Sequence, residues 1–142
     1  MKRASVEGPG PIPVVRLIVP EARGRVLILK RASTSYAQGE WCLPGGKVDY
    51  GDTAESAVTQ ELREETALEC DQLRFLFYQD SLPTEPGGMH CVNLYFECVV
   101  SGDVALNSES SESRWIDPAD LEQMRLVFRN GEGLRRYWGP VK

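Results

Sequence analysis

Three glutamates lie close together in one predicted helix, directly after a glycine-rich turn. Glu61, Glu64 and Glu65 are spaced at i, i+3 and i+4, which places them on one side of an α-helix. Ala57 and Val58 lie within about 60° of Glu61, so the acids occupy part of a stripe that would otherwise pack on a core. Clustered carboxylates repel one another unless a cation lies among them, and Mg²⁺ or Mn²⁺ prefers oxygen ligands. The trio therefore predicts a divalent metal site on this helix.

The turn before the helix is formed by Pro44, Gly45 and Gly46. Glycine permits positive φ and a close approach of the backbone to another group. Free N–H groups in such a turn can meet phosphate oxygens or orient the entry into the helix, and Lys47 adds a positive charge beside them. The turn makes Gly45, Gly46 and Lys47 candidates for binding substrate phosphate.

Residues 46–68 resemble the signature of the Nudix hydrolases, G-x5-E-x7-R-E-U-x-E-E-x-G-U, in which U is a bulky aliphatic residue. Six residues match this pattern at the right spacing: Gly46, Glu61, Leu62, Glu64, Glu65 and Leu68. Three residues depart from it: Asp52 stands for Glu, Gln60 for Arg and Ala67 for Gly. The flanking stretches 41–47 and 113–117 also resemble the family.

The resemblance implies a pyrophosphohydrolase that uses Mg²⁺ or Mn²⁺ and cleaves a nucleoside diphosphate linked to another moiety, by attack of water on phosphorus. By position, Glu61, Glu64 and Glu65 would be metal ligands and catalytic residues, and Asp52 is a further candidate ligand. A late loop in the family often brings another acid to the metal, and we choose Glu109. Nucleoside triphosphates including oxidised ones, ADP-ribose, nucleotide sugars and dinucleoside polyphosphates all remain open as substrates.

Two arginines lie on predicted strands that lead toward the expected cleft. Arg16 and Arg31 are therefore candidates for binding substrate phosphate. The alternative for the whole site is a domain that binds or senses nucleotides, with the same fold but a weakened catalytic rate. The three departures Gln60, Asp52 and Ala67 motivate this alternative. Gln60 matters most, because it can form a hydrogen bond but cannot form an ion pair with the glutamates, as the Arg of the family does.

Length and composition indicate one ordinary domain. The chain has 142 residues, 42% of them hydrophobic, and a formal net charge of −5. The negative charge argues against broad binding to nucleic acid or to anionic membranes. The four cysteines show no C-x-x-C spacing, no signal peptide is recognisable and no apolar stretch approaches the ~18 residues that cross a membrane, so we expect a cytoplasmic protein. A homodimer remains open.

The order of predicted elements favours an α/β fold of the α+β type. We expect a lead-in at residues 1–11, flexible because it is rich in Gly and Pro, and a single domain over residues 12–142. Strands are predicted at 13–20, 25–31, 41–43, 73–80, 90–100 and 113–116, the first two as a hairpin. Helices are predicted at 53–66, 118–124 and 129–138. A few hairpins with two or three helices suit a mixed sheet between helices, which is the α/β/α sandwich that the resemblance implies.

Overall fold

The computed structural model describes residues 10–32 and 36–140, so most of the predicted lead-in lies outside the described residues. The strands are β1 (Ile12–Ile18), β2 (Val26–Arg31), β3 (Trp41–Cys42), β4 (Gly45–Lys47), β5 (Glu69–Ser81), β6 (Cys91–Ser101) and β7 (Ser110–Ile116). The helices are α1 (Ala54–Thr66), α2 (Pro118–Leu121) and α3 (Asn130–Trp138).

The strands form two sheets. The larger has the order β4-β1-β6-β5 and is mixed, because β1 runs parallel to β6 while the other pairs are antiparallel. The smaller is antiparallel with the order β3-β2-β7. Helix α1 packs on β1, β4 and β5 of the mixed sheet. These features confirm the predicted fold class.

The predicted hairpin between the first two strands is wrong. Strand β1 pairs with β4 and β6, whereas β2 pairs with β3 and β7. The chain pairs across the turn just beyond β1, through a bridge between Pro20 and Val26 and a hydrogen bond from the N–H of Leu27 to the carbonyl of Val19. Residues 14–18 are all buried, and a strand buried on both faces belongs in the interior of a sheet with a partner on each side. The turn at residues 21–24 therefore reverses the chain but passes it to the second sheet.

Strand β1 supplies side chains to two separate cores. Val15 and Leu17 pack in a cluster with Val58 and Leu62 of α1. Ile18, which points the other way, packs in a second cluster with residues of β6 and α3. Helices α1 and α3 therefore belong to different cores, and Arg16 shares the face of β1 that points away from α1.

Several boundaries differ from the predicted ones. Strand β4 forms where the sequence predicts only a turn, since residues 45–47 pair with β1. Strand β5 is longer than predicted and contains two bulges, which let it follow β6 along its full length. Strand β7 begins at Ser110, three residues before the strand predicted at 113–116, and α2 ends earlier than predicted.

Both ends of α1 have defined caps. Thr53 is the N-terminal cap and forms a capping box with Ser56. At the other end Ala67 adopts the left-handed conformation with φ 64°, and its N–H donates to the carbonyl of Arg63. Among the described residues, no helix is long and apolar enough to cross a membrane.

Candidate active site

Glu61 and Glu65 lie one turn apart on α1 and face the glycine turn. The N–H of Gly45 donates to Glu65 Oε2 over 3.1 Å. A Cβ atom on Gly46 would lie 2.5 Å from the carboxyl carbon of Glu61, so a side chain there would displace this carboxylate. The absence of a side chain at residue 46 therefore lets the carboxylate of Glu61 approach the β4 backbone.

The two carboxyl groups interact directly and affect each other's ionisation. Burial, followed by the hydrogen bond and charge of Glu61, raises the pKa of Glu65 to about 9, against the opposing effect of the Gly45 N–H. Burial is also the main cause that raises the pKa of Glu61. Two carboxylates in contact must hold either a proton or a cation between them.

Glu64 lies at the rim of this pair and is exposed. Its Oε1 accepts a hydrogen bond from Gln60 Nε2 over 3.0 Å. The residue that replaces the Arg of the family signature therefore still contacts a glutamate of that signature. The charge of Glu64 contributes to the raised pKa of Glu61. Arg63 does not substitute for the missing Arg, because it binds Glu69 on the surface.

Two acids from other segments act on the pair through their charge. The charge of Glu109, just before β7, raises the pKa of both Glu61 and Glu65, and its role at the metal stays a prediction. The charge of Asp49 acts on Glu61, and sequence reasoning missed this residue because it has no position in the family pattern. Asp52 is exposed and its described hydrogen bond is a backbone one to Asp49, so its metal role stays a prediction.

The donor set suits a hard divalent cation. Within residues 10–32 and 36–140, no group of three or more His, Cys, Asp or Glu side chains is arranged so that it could hold a metal ion. The Glu61–Glu65 contact does bring two carboxylates together, and the charges of Glu64 and Glu109 act on it. These side chains offer oxygen alone, the ligand type of Mg²⁺ and Mn²⁺, and such an ion would relieve their repulsion.

A second cluster joins the two arginines predicted to bind phosphate. Arg16 is the register partner of Gly45, so it lies across the β4 backbone from Glu65. Its guanidinium and that of Arg31 both lie over the ring of Phe128, and the ring of Tyr36 stacks on the same residue. Sequence reasoning missed Phe128, which carries no charge and belongs to no motif.

Lys47 is the candidate that the structure leaves apart from both clusters. It is exposed at the end of β4 opposite Val14. Over the described part of the chain no salt bridge is found for it. The glycine turn thus lies between an acidic side and a cationic, aromatic side, with Gly45 in contact with both.

Comparisons with known proteins agree with this architecture. The NUDIX domain model matches residues 10–137. The MutT protein of Methanosarcina mazei has the same fold, with a TM-score of 0.79 and 24% sequence identity. The match covers 96% of this chain and 100% of that protein. This likeness shows the fold alone.

Two relatives, at 30% and 32% identity, are covered over more than two thirds of their own length. The chain is 30% identical over 118 residues to an ADP-ribose pyrophosphatase of Methanocaldococcus jannaschii, which covers 82% of this chain and 68% of that protein. It is 32% identical over 109 residues to the nucleoside triphosphatase NudI of Escherichia coli. That match covers 68% of this chain and 75% of that protein. A protein of Caenorhabditis elegans named as a nudix hydrolase is 30% identical over 126 residues, 82% of this chain, but the chain spans only 33% of its length. The chain therefore belongs to the Nudix hydrolase family, whose members are hydrolases acting on phosphoric anhydride bonds.

Proposed function

We propose that this chain is a metal-dependent pyrophosphohydrolase that cleaves a nucleoside diphosphate linked to another moiety. The observation that carries the proposal is the contact between Glu61 and Glu65 beside the glycine turn. Glu65 is only 8% exposed, and a second carboxyl group in contact with it destabilises the charged form of both. A helix that served packing alone would not retain this arrangement, whereas a bound divalent cation would make use of it.

Each side of the turn has its own part in the reaction. The bound cation supplies charge neutralisation of the phosphate and activation of water. Glu61, Glu65 and Glu64 would hold it, and Glu109 would orient the attacking water or take its proton. The backbone at Gly45 and Gly46 would lie along the phosphate chain, because no side chain stands in the way there.

The substrate class follows from the cationic side. Arg16 and Arg31 would bind phosphate oxygens on the side of β4 opposite the acids, so the substrate would extend across the glycine turn. A substrate with two linked phosphates has the length and charge for this. The pyrophosphatase relative acts on ADP-ribose by name, which makes ADP-ribose the first substrate to test.

The test is turnover of four substrate classes with Mg²⁺ and then with Mn²⁺. These are nucleoside triphosphates including oxidised ones, ADP-ribose, nucleotide sugars and dinucleoside polyphosphates, with released phosphate or pyrophosphate followed directly and after phosphatase treatment. We expect metal-dependent cleavage of one class, abolished by chelation. Absence of turnover in all four classes with both metals would contradict the proposal.

The second candidate function is a domain that binds or senses nucleotides with little turnover. The observation that favours it is the Gln60–Glu64 hydrogen bond, in which a neutral amide replaces the ion pair of the family pattern. A charge-assisted bond is worth roughly 1.5–3 kcal/mol, about twice a neutral one. Under this hypothesis Gln60→Arg raises the rate strongly in a protein that binds nucleotide with metal but turns over slowly. An ordinary rate in the wild type, changed little by Gln60→Arg, would eliminate it.

A further inference from the structure

Phe128 lies between α2 and α3, and its ring contacts two guanidinium groups. Arg16 Cζ is 4.8 Å from the ring centroid and Arg31 Cζ is 5.1 Å from it. Both distances are within the ~6 Å at which the face of an aromatic ring attracts a cation. The ring of Tyr36 stacks against it with centroids 5.9 Å apart and an interplanar angle of 17°. One ring thus holds two like charges, from β1 and β2, in the same small region.

The backbone that presents this ring is strained. Phe128 and Arg129 both have φ of 60°, in the left-handed region that residues with a side chain avoid. Each such residue costs about 1–2 kcal/mol. Two in succession persist only where the surrounding structure fixes them, and strain of this kind concentrates at functional sites.

Side-chain amide and hydroxyl groups fix the strained segment. Asn93 Nδ2 and Asn130 Nδ2 donate to the carbonyl of Phe128 over 3.4 and 3.2 Å. Gln79 Nε2 and the hydroxyl of Tyr95 donate to the next carbonyl along the chain over 3.1 and 3.4 Å. Strands β5 and β6 and helix α3 therefore all contribute to holding the ring where it is.

Asn93 connects the strained segment to Arg16. Its Oδ1 accepts a hydrogen bond from Arg16 Nε over 3.1 Å, so one side chain contacts both the arginine and the Phe128 backbone. Arg16 is only 7% exposed, and within the described residues this is the one hydrogen bond of its guanidinium. A buried guanidinium keeps its charge, so it calls for an anion on its remaining donors.

We propose that Phe128 is a positioning residue, which holds Arg16, with Arg31 beside it, oriented to receive a phosphate oxygen of the substrate. The ring attracts both cations and separates them, and the hydrogen bonds of Asn93 set the orientation of the Arg16 fork. The inference rests on the proposed function in one respect, because it takes a substrate that carries phosphate. It assigns to Phe128 an action through the arginines and not a direct contact with the nucleoside.

The test is calorimetric binding of ADP and of inorganic pyrophosphate, each with Mg²⁺, to the full chain. Phe128→Leu keeps an apolar side chain but removes the ring, and we expect both dissociation constants to rise about 5- to 20-fold, as the loss of cation–aromatic contacts predicts. Phe128→Tyr restores the ring and should bind within about twofold of wild type. Phe75→Leu is the matched control, because the Phe75 ring packs edge-on against Phe96 of the other core, with centroids 5.4 Å apart, and it should leave both constants unchanged.

The outcomes separate this inference from the proposed function. Weakened ADP binding with unchanged pyrophosphate binding in Phe128→Leu would overturn it, since Phe128 would then contact the nucleoside itself. Equal losses in Phe128→Leu and Phe75→Leu would also overturn it, because the effect would be one of general packing. Turnover with unaltered binding in Phe128→Leu defeats the inference alone. Weakened binding of both probes in a protein without turnover defeats the proposed activity alone, and a wild type that binds neither probe defeats both.

Discussion

Two pairs of charged side chains lie near each other along α1, and they differ in what neutralises their carboxylates. One is the surface pair Arg63–Glu69, and the other is the cleft pair Glu61–Glu65. On the surface, Arg63 binds Glu69 through Nε and Nη2, both at 2.8 Å, as a two-pronged ion pair. In the cleft, Glu61 contacts Glu65, and no salt bridge to either is found in the part of the chain that the structure describes. In the surface pair the positive and negative charges neutralise each other, while the cleft pair requires a proton or a cation from outside. This difference assigns the surface pair to structure and the cleft pair to chemistry.

The largest expected effect is on turnover in the cleft. Glu61→Gln and Glu64→Gln each keep the shape of the side chain and remove a negative charge that the metal would need. We expect each to lower kcat/KM by about 100-fold or more, the scale of losing one charge-stabilising group in an active site. Steady-state kinetics with Mg²⁺ would measure it, with circular dichroism to show that the fold is intact.

Glu69→Gln is the matched control for these two variants. It removes one charge at a similar distance along the chain, but from the surface pair, and its turnover should equal that of the wild type. If Glu61→Gln and Glu64→Gln both retain activity, the assignment of these residues is wrong.

The second prediction concerns stability at the same cleft pair. Gln at position 65 mimics a protonated carboxyl group, since it can accept from Gly45 and donate to Glu61. Glu65→Gln should therefore stabilise the metal-free protein near neutral pH by about 1–3 kcal/mol while it lowers activity, as removal of a buried like-charge contact predicts.

The pH dependence of this gain has a defined sign. The pKa of Glu65 is raised from 4.5 to about 9 in the folded state, so the folded protein binds more protons than the unfolded chain between these values. The contribution of Glu65 to the unfolding free energy is present below the lower value and is lost as the pH rises toward the upper one. The advantage of Glu65→Gln over the wild type should thus grow from pH 5 to pH 9, measured by urea unfolding with chelator present. An advantage that shrinks over this range would contradict the prediction.

The third prediction concerns the C-terminal cap of α1. The sequence indicates strain if residue 67 adopts the left-handed turn, and the structure places Ala67 there with φ 64°. Ala67→Gly removes the Cβ that this conformation disfavours, so we expect a gain of about 0.5–1 kcal/mol in unfolding free energy. Thermal unfolding would measure it. Because Ala67 is exposed and beyond the acids, turnover should not change, and a destabilised variant would show that the cap is not strained.

Helix α1 was largely predictable because its signals are local. The predicted range 53–66 agrees with Ala54–Thr66, since side-chain periodicity and capping residues depend only on neighbours in sequence. The contact of Glu61 with Glu65 follows from their spacing once the helix forms. The glycines of the turn also predicted a close approach to its backbone, but not that the approaching group at Gly46 is the carboxylate of Glu61.

The arginine side of the cleft could be predicted only in part. The sequence predicts Arg16 and Arg31 as phosphate-binding candidates because they lie on strands that lead toward the cleft. The pairing of those strands depends on distant segments, and the hairpin predicted for β1 and β2 is wrong. Phe128 could not have been found, because two consecutive left-handed residues hold it and their hydrogen-bond donors come from three other elements. Asp49 likewise faces Glu61 only through the path of a loop.

The smallest expected effect is on the surface pair, and it completes the comparison. Arg63→Gln leaves Glu69 with a neutral partner in water, where solvent screens the charge and little stability depends on it. We expect a change in melting temperature smaller than that of Ala67→Gly, no change in turnover, and an effect that disappears at high salt, measured by thermal unfolding at two ionic strengths. If Arg63→Gln instead lowers turnover, the two arrangements are coupled through α1. Arg63 would then compensate for the charge that Gln60 lacks, and the division between a structural and a chemical pair would fail.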